Sequence, residues 1–118
     1  METELIGEFK GKNTTYRVLP DGKMEVSGTG TGKFQGMDAF VASTSVGTMR
    51  NGVFNGEVYA SITTVDGQTV FCKATAIGYP SGNGGVSRAA STQVTQAEKF
   101  MRLNKAILIH EYLTDMTD

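Results

Sequence analysis

The chain has 118 residues, which suits one domain, residues 1–118, and is too short for two. Its 11 basic and 12 acidic residues give a formal net charge of −1, a balance that argues against a dedicated nucleic-acid binder. The single cysteine, Cys72, excludes an internal disulfide. No segment reaches the roughly 20 apolar residues of a membrane-spanning helix, and residues 1–4 are acidic and unlike a signal peptide. We therefore expect a cytoplasmic protein.

Segments rich in Val, Thr, Phe and Tyr alternate with short turn signals along the whole chain. Asp21-Gly22, Asn51-Gly52, Asn55-Gly56 and Asp66-Gly67 tolerate the positive φ angles that tight hairpin turns require. In chain order, the pattern predicts strands over residues 5–12, 14–18, 23–30, 38–49, 53–65, 68–78, 86–94 and 106–114. The second of these either continues the first or starts a new strand. Glycine-rich residues 30–36 and 79–85 are predicted loops, and residues 116–118 are predicted to fray.

One short helix is predicted before the last strand. Thr95 and Glu98 fit a capping box, in which each side chain bonds the backbone at the other's position. Only about two turns can follow before Asn104, so we expect the helix near residues 95–102.

The order of the predicted elements favours an all-β fold. About eight strands joined mostly by hairpins are typical of a β-sandwich or an up-and-down barrel. Hairpins without long crossovers favour a small antiparallel up-and-down β-barrel, whose closure would also remove exposed strand edges.

Small side chains on the strand faces that we expect to point inward leave two alternatives open, a packed core and a ligand pocket. The leading hypothesis is a binding protein that takes up a small apolar or amphipathic ligand inside the barrel. The residues predicted to bind the ligand are Phe40, Phe54, Val58, Ala74, Arg88 and Glu111.

Glu111 is the candidate for a polar group inside the barrel. Period-two alternation places it with Ile109 on one face of the last strand, and His110 on the other. If the isoleucine face is the core, Glu111 is either a buried carboxyl with a raised pKa or a rim residue. Arg88 would pair with Glu111 if it points inward, and would be a solvated charge if it points outward.

An isomerase or cyclase is the alternative function, with Glu111 as acid or base and Tyr59 or Tyr112 as its helper. A structural or oligomerising protein without ligand is a third hypothesis, so the sequence leaves open whether the chain is an enzyme. The lone histidine lacks the partners of a metal site. The glycines at 28, 30 and 32 are not followed by a predicted helix, as a phosphate-binding loop of a nucleotide site requires. We therefore expect no metal and no cofactor.

The C-terminal half resembles a family of small uncharacterised prokaryotic proteins. The motifs are Asp66-Gly67-Gln68, glycine-rich residues 78–85, Ala90-Ser91-Thr92, residues 99–104 and His110-Glu111-Tyr112, together with Arg17-Val18-Leu19 near the start. This family is similar to the allene oxide cyclase-like barrels, which belong with the calycin-type β-barrels. The resemblance implies a barrel and a homo-oligomer, and no residue here matches a cyclase site.

Overall fold

Seven antiparallel strands and one short helix form the computed structural model, which describes residues 5–115, with side chains as far as residue 113. The strands are β1 (Gly7–Val18), β2 (Met24–Phe34), β3 (Met37–Arg50), β4 (Val53–Thr64), β5 (Thr69–Ser81), β6 (Gly84–Thr95) and β7 (Leu108–Asp115). A 3-10 helix, Glu98–Lys105, lies between β6 and β7. The predicted fraying of residues 116–118 lies outside the described residues.

Every strand pairs with its neighbour in sequence, so the sheet order is β1-β2-β3-β4-β5-β6-β7. This confirms the predicted all-β, up-and-down fold with one short helix, and the sheet curls into a half-barrel. The first two predicted strands are one strand, because β1 continues through an irregularity between Asn13 and Thr15. In the described sheet, β1 and β7 are the two edges.

Tight turns join most of the strands, and three of these turns contain the predicted pairs Asp21-Gly22, Asn51-Gly52 and Asp66-Gly67. Asn51 and Gly52 have φ angles of 55° and 76°, which is the left-handed conformation that a two-residue hairpin requires. Asn55-Gly56 is an exception, because it lies inside β4 and makes no turn. There Gly56 pairs with Gly47 of β3, and a Cβ at Gly56 would lie 2.9 Å from the Cα of Gly47. Glycine at this position therefore permits close strand contact.

The two predicted loops are wrong for most of their length. β2 extends as far as Phe34, and β5 and β6 continue through the pairs Pro80–Gly85 and Ser81–Gly84. In β2, a Cβ at Gly32 would overlap the carbonyl oxygen of Glu8 in β1. Gly30, Gly32, Gly84 and Gly85 thus belong to strands, whereas Gly36 and Gly82 form the short turns with positive φ angles.

The inner face of the sheet carries the buried core, and the opposite face is called the outer face below. The main core cluster consists of Phe34, Ala39, Ile62, Val70, Cys72, Ala97, Phe100 and Leu103. The helix covers this cluster, and its Phe100 ring meets Phe34 edge-on at a centroid distance of 5.3 Å. Burial of these apolar side chains is the main force that holds the helix on the sheet.

The predicted capping box is wrong, although the helix lies close to its predicted position. Ala97 is the N-cap residue, and no side chain caps the helix. Thr95 ends β6 instead, where its hydroxyl donates to the carbonyl of Thr69 over 2.7 Å. Asn104 binds both the backbone N–H and the carbonyl of Thr95, at 2.8 and 3.0 Å. These bonds anchor the end of the helix to the sheet.

Candidate functional site

A buried polar cluster occupies the inner face beside β7. His110 Nε2 lies 2.7 Å from the hydroxyl oxygen of Ser91 on β6, and the Gln93 amide nitrogen donates to the same oxygen. Ser91 and Gln93 are 1% and 3% exposed, respectively. Gln93 Oε1 is also buried and accepts no hydrogen bond from the described residues. Alternation of β6 directs Ser91 and Gln93 to the same face as Ala89 and Thr95.

Burial keeps the titratable groups of this region neutral. Burial lowers the pKa of His110, so the imidazole is uncharged at neutral pH. Burial raises the pKa of Tyr112, with a smaller contribution from the neighbouring Cys72. Burial alone raises the pKa of Cys72 to about 11, so its thiol is protonated and a poor nucleophile. The cluster therefore offers neutral hydrogen-bonding groups.

The inner face is filled at this point. The cavity that His110 and Tyr112 help to line measures about 10 Å³, and its other lining residues are Val58, Ala60, Cys72, Ala74 and Ala89. Such a volume is close to the lower limit for one water molecule. Of the two alternatives that the small residues left open, this part of the inner face has the packed core.

The predicted ligand-binding residues divide between the two faces of the sheet. Phe54, Val58 and Ala74 lie on the inner face, since β4–β5 pairing aligns them with the buried row of β5. Phe40 lies on the outer face and is 47% exposed. The expectation that Phe40 lines the interior is wrong, because Ala39 and Val41 are the β3 residues that join the core.

Arg88 and Glu111 also lie on the outer face. Arg88 Nε is 3.2 Å from Glu111 Oε2, and both side chains are 57% exposed. The prediction that Glu111 is a carboxyl inside the barrel is therefore wrong. Of the two alternatives for Arg88, the structure shows the outward, solvated charge. The reason lies in β7, which turns His110 and Tyr112 inward and leaves Ile109 77% exposed. The aromatic residues fill the space over the small side chains of β5 and β6.

The three candidate catalytic residues do not meet. Glu111 and Tyr59 project from the outer face on different strands, whereas Tyr112 lies on the inner face. Tyr59 donates a hydrogen bond to Glu57, and this bond is the main cause of the raised pKa of Tyr59. Their positions give no shared point at which an acid, a base and a substrate could come together.

An open groove of about 620 Å³ lies on the outer face. Two rows of paired residues form most of its floor. The first row is Thr29, Ala42, Ser61, Phe71 and Val94, and the second is Ser27, Thr44, Tyr59, Lys73 and Thr92. Phe71 and Val94 are 59% and 68% exposed, which gives the groove an apolar end. The second row supplies hydroxyl groups and the ammonium group of Lys73.

Sequence reasoning missed both the inner cluster and the outer groove. The polar residues Ser91 and Gln93 alternate with exposed residues in β6, a pattern that predicts a shared face but not which face is buried. Phe71 and Val94 become neighbours through β5–β6 register, which the sequence does not reveal.

Among the described residues, no group of three or more His, Cys, Asp or Glu side chains is placed to hold a metal ion. Within residues 5–115, the helix Glu98–Lys105 is too short and too polar to cross a membrane.

Comparisons with protein families, curated proteins and solved structures find no match. The resemblance to allene oxide cyclase-like barrels accordingly stays a prediction.

Proposed function

We propose that the protein binds a small amphipathic molecule in the outer groove. The observation that carries the proposal is the arrangement of Phe71 and Val94 beside a row of hydroxyl groups and Lys73. Binding sites for small molecules combine apolar walls with a few polar groups that set orientation. This outer site replaces the barrel interior as the proposed ligand site, because the cavity beside His110 measures only about 10 Å³.

The groove places apolar and polar groups side by side, which suits the two parts of such a ligand. The ring of Phe71 and the side chain of Val94 would cover its apolar part, and this contact removes apolar surface from water. Lys73 stands next to Tyr59 across the β4–β5 pair, where its positive charge would attract a negatively charged or polar end. Hydroxyl groups such as those of Ser27 and Thr44, 3.2 Å apart, can donate and accept hydrogen bonds.

The first test is titration with anilinonaphthalene sulfonate, a fluorescent amphipathic anion, monitored by fluorescence and by NMR shift changes. We expect Phe71→Ala to weaken binding about tenfold, which corresponds to about 1.4 kcal/mol. Lys73→Gln should weaken binding at low salt and reduce its salt dependence. Phe40→Ala is the matched control, because Phe40 is an exposed aromatic residue of the same face outside the groove lining.

Equal binding by the parent protein and Phe71→Ala would show that the dye occupies another place and would refute the groove. Absence of any binding would favour the alternative of a structural or oligomerising protein. Native mass spectrometry of the purified protein would identify a retained ligand directly.

The alternative function is an isomerase that uses Glu111 as its acid or base. The solvated position of this side chain on the outer face does not support it. The predicted cytoplasmic location stays a prediction.

A further inference from the structure

The Arg88–Glu111 ion pair lies inside a patch of exposed aliphatic side chains on the outer face. Ile77 of β5 is the direct strand partner of Arg88, and Ile109 and Leu113 flank Glu111 on the same face of β7. Ile77, Ile109 and Leu113 are 42%, 77% and 78% exposed. These five residues are called the β7 patch.

Single exposed apolar residues are common on protein surfaces and need no explanation. The β7 patch differs because its three aliphatic side chains surround one ion pair on adjacent strands of a sheet edge. An apolar area with a specific polar pair inside it is typical of protein–protein interfaces. On the inner face of β7, His110 and Tyr112 line a cavity of only about 10 Å³, whereas Ile109 and Leu113 on the outer face are open to a partner.

We propose that the β7 patch is the interface of a two-fold symmetric dimer of this chain. A two-fold interface uses the same surface on both copies, so that surface must complement itself. Arg88 and Glu111 meet this condition, because they are adjacent and of opposite charge. A two-fold axis between them brings Arg88 of one protomer against Glu111 of its partner, twice. The aliphatic side chains then close around the four charges and exclude water.

This proposal is independent of the ligand groove, whose lining contains none of the five residues. Sedimentation velocity over a range of protein concentrations measures the dimer dissociation constant. We expect Arg88→Glu and Glu111→Arg each to raise it at least tenfold, because like charges then face each other across the axis. An equimolar mixture of the two variants should form a heterodimer, since its interface again places opposite charges together.

Arg17→Glu is the control, because the exposed Arg17 forms an ion pair of similar length, 3.1 Å, with the half-buried Glu25 on the β1–β2 hairpin at the other end of the strand order. It should leave the dimer unchanged. Ile109→Lys tests the aliphatic part and should also give monomers, with folding checked by circular dichroism. A parent protein that stays monomeric at high concentration overturns the proposal. A dimer that survives Arg88→Glu and Ile109→Lys overturns it as well, because its interface then lies elsewhere.

Discussion

The Ser91 hydroxyl oxygen and His110 Nε2 are joined by a 2.7 Å hydrogen bond that ties β7 to β6 through side chains as well as backbone. The Gln93 amide donates to the same oxygen, so the Ser91 proton is free to point at the imidazole. His110 Nε2 then accepts, and a neutral imidazole with its proton on Nδ1 fits the bond. This bond makes the protonation state of His110 relevant to the stability of the edge strand.

The first prediction concerns pH. Burial holds the pKa of His110 below its ordinary value of about 6.5, so the unfolded chain binds the proton more readily. The contribution of neutral His110 to the unfolding free energy is therefore fully present above about pH 6.5 and is lost as the pH drops below this value. The titratable groups that face His110 are the neutral Cys72 of β5 and Tyr112 of β7, while its β4 and β6 neighbours in the cavity are Val58, Ala60 and Ala89.

Urea unfolding at a series of pH values measures this dependence. His110 is the only histidine of the chain, so the change in unfolding free energy between about pH 7.5 and 5.5 reports mainly on it. His110→Gln should flatten the curve in this interval. Parallel curves for the parent protein and the variant would contradict the prediction.

The second prediction is that Ser91→Ala destabilises the fold by about 1–3 kcal/mol. The substitution removes the common partner of His110 and Gln93, and so takes a hydrogen bond from the buried Gln93 amide and from the half-buried His110 ring. Ser61→Ala, on the outer face, should change the free energy of unfolding by less than about 0.5 kcal/mol. Equal effects of the two substitutions in urea unfolding would show that the inner hydrogen bonds add no stability.

Much of the fold follows from local signals in the sequence. Asn51-Gly52 forms the hairpin turn that it predicts, and the alternation of Phe54, Val58 and Ile62 identifies the inner face of β4. Glycine is ambiguous by comparison. It marks a turn at Gly52 but a close strand contact at Gly56, and only the partner strand distinguishes the two.

The candidate site was harder to predict because β7 contradicts the simplest rule of burial. Ile109 is more apolar than His110, yet His110 points inward. Shape explains the choice: the small side chains of Ala74 and Ala89 leave space that the rings of His110 and Tyr112 fill. Sequence alternation shows that two faces exist, but which one is buried depends on neighbouring strands.

The third prediction concerns the attachment of the helix to the sheet. Asn104→Ala should lower the unfolding free energy by about 1–3 kcal/mol, because the N–H and carbonyl of the buried Thr95 lose their bonds to the Asn104 amide. Asn55→Ala is the control, since its amide makes only a long 3.5 Å contact with the carbonyl of Val53. Hydrogen exchange should show faster exchange of the Thr95 amide in Asn104→Ala alone. Unchanged protection there would contradict this role of Asn104.

The fourth prediction concerns close contact between β3 and β4. A Cβ at Gly56 would lie 2.9 Å from the Cα of Gly47 and still closer to the carbonyl oxygen of Val46, so the two strands would have to separate. We expect Gly56→Ala to lower the unfolding free energy by about 2–3 kcal/mol, as overpacking does. Gly85→Ala is the matched control within a strand, because its added Cβ meets only the Tyr79 carbonyl oxygen at 3.6 Å. There the loss of freedom in the unfolded chain should leave stability unchanged or raise it slightly. Thermal unfolding distinguishes the two variants, and equal melting temperatures would show that β3 and β4 tolerate a side chain at Gly56.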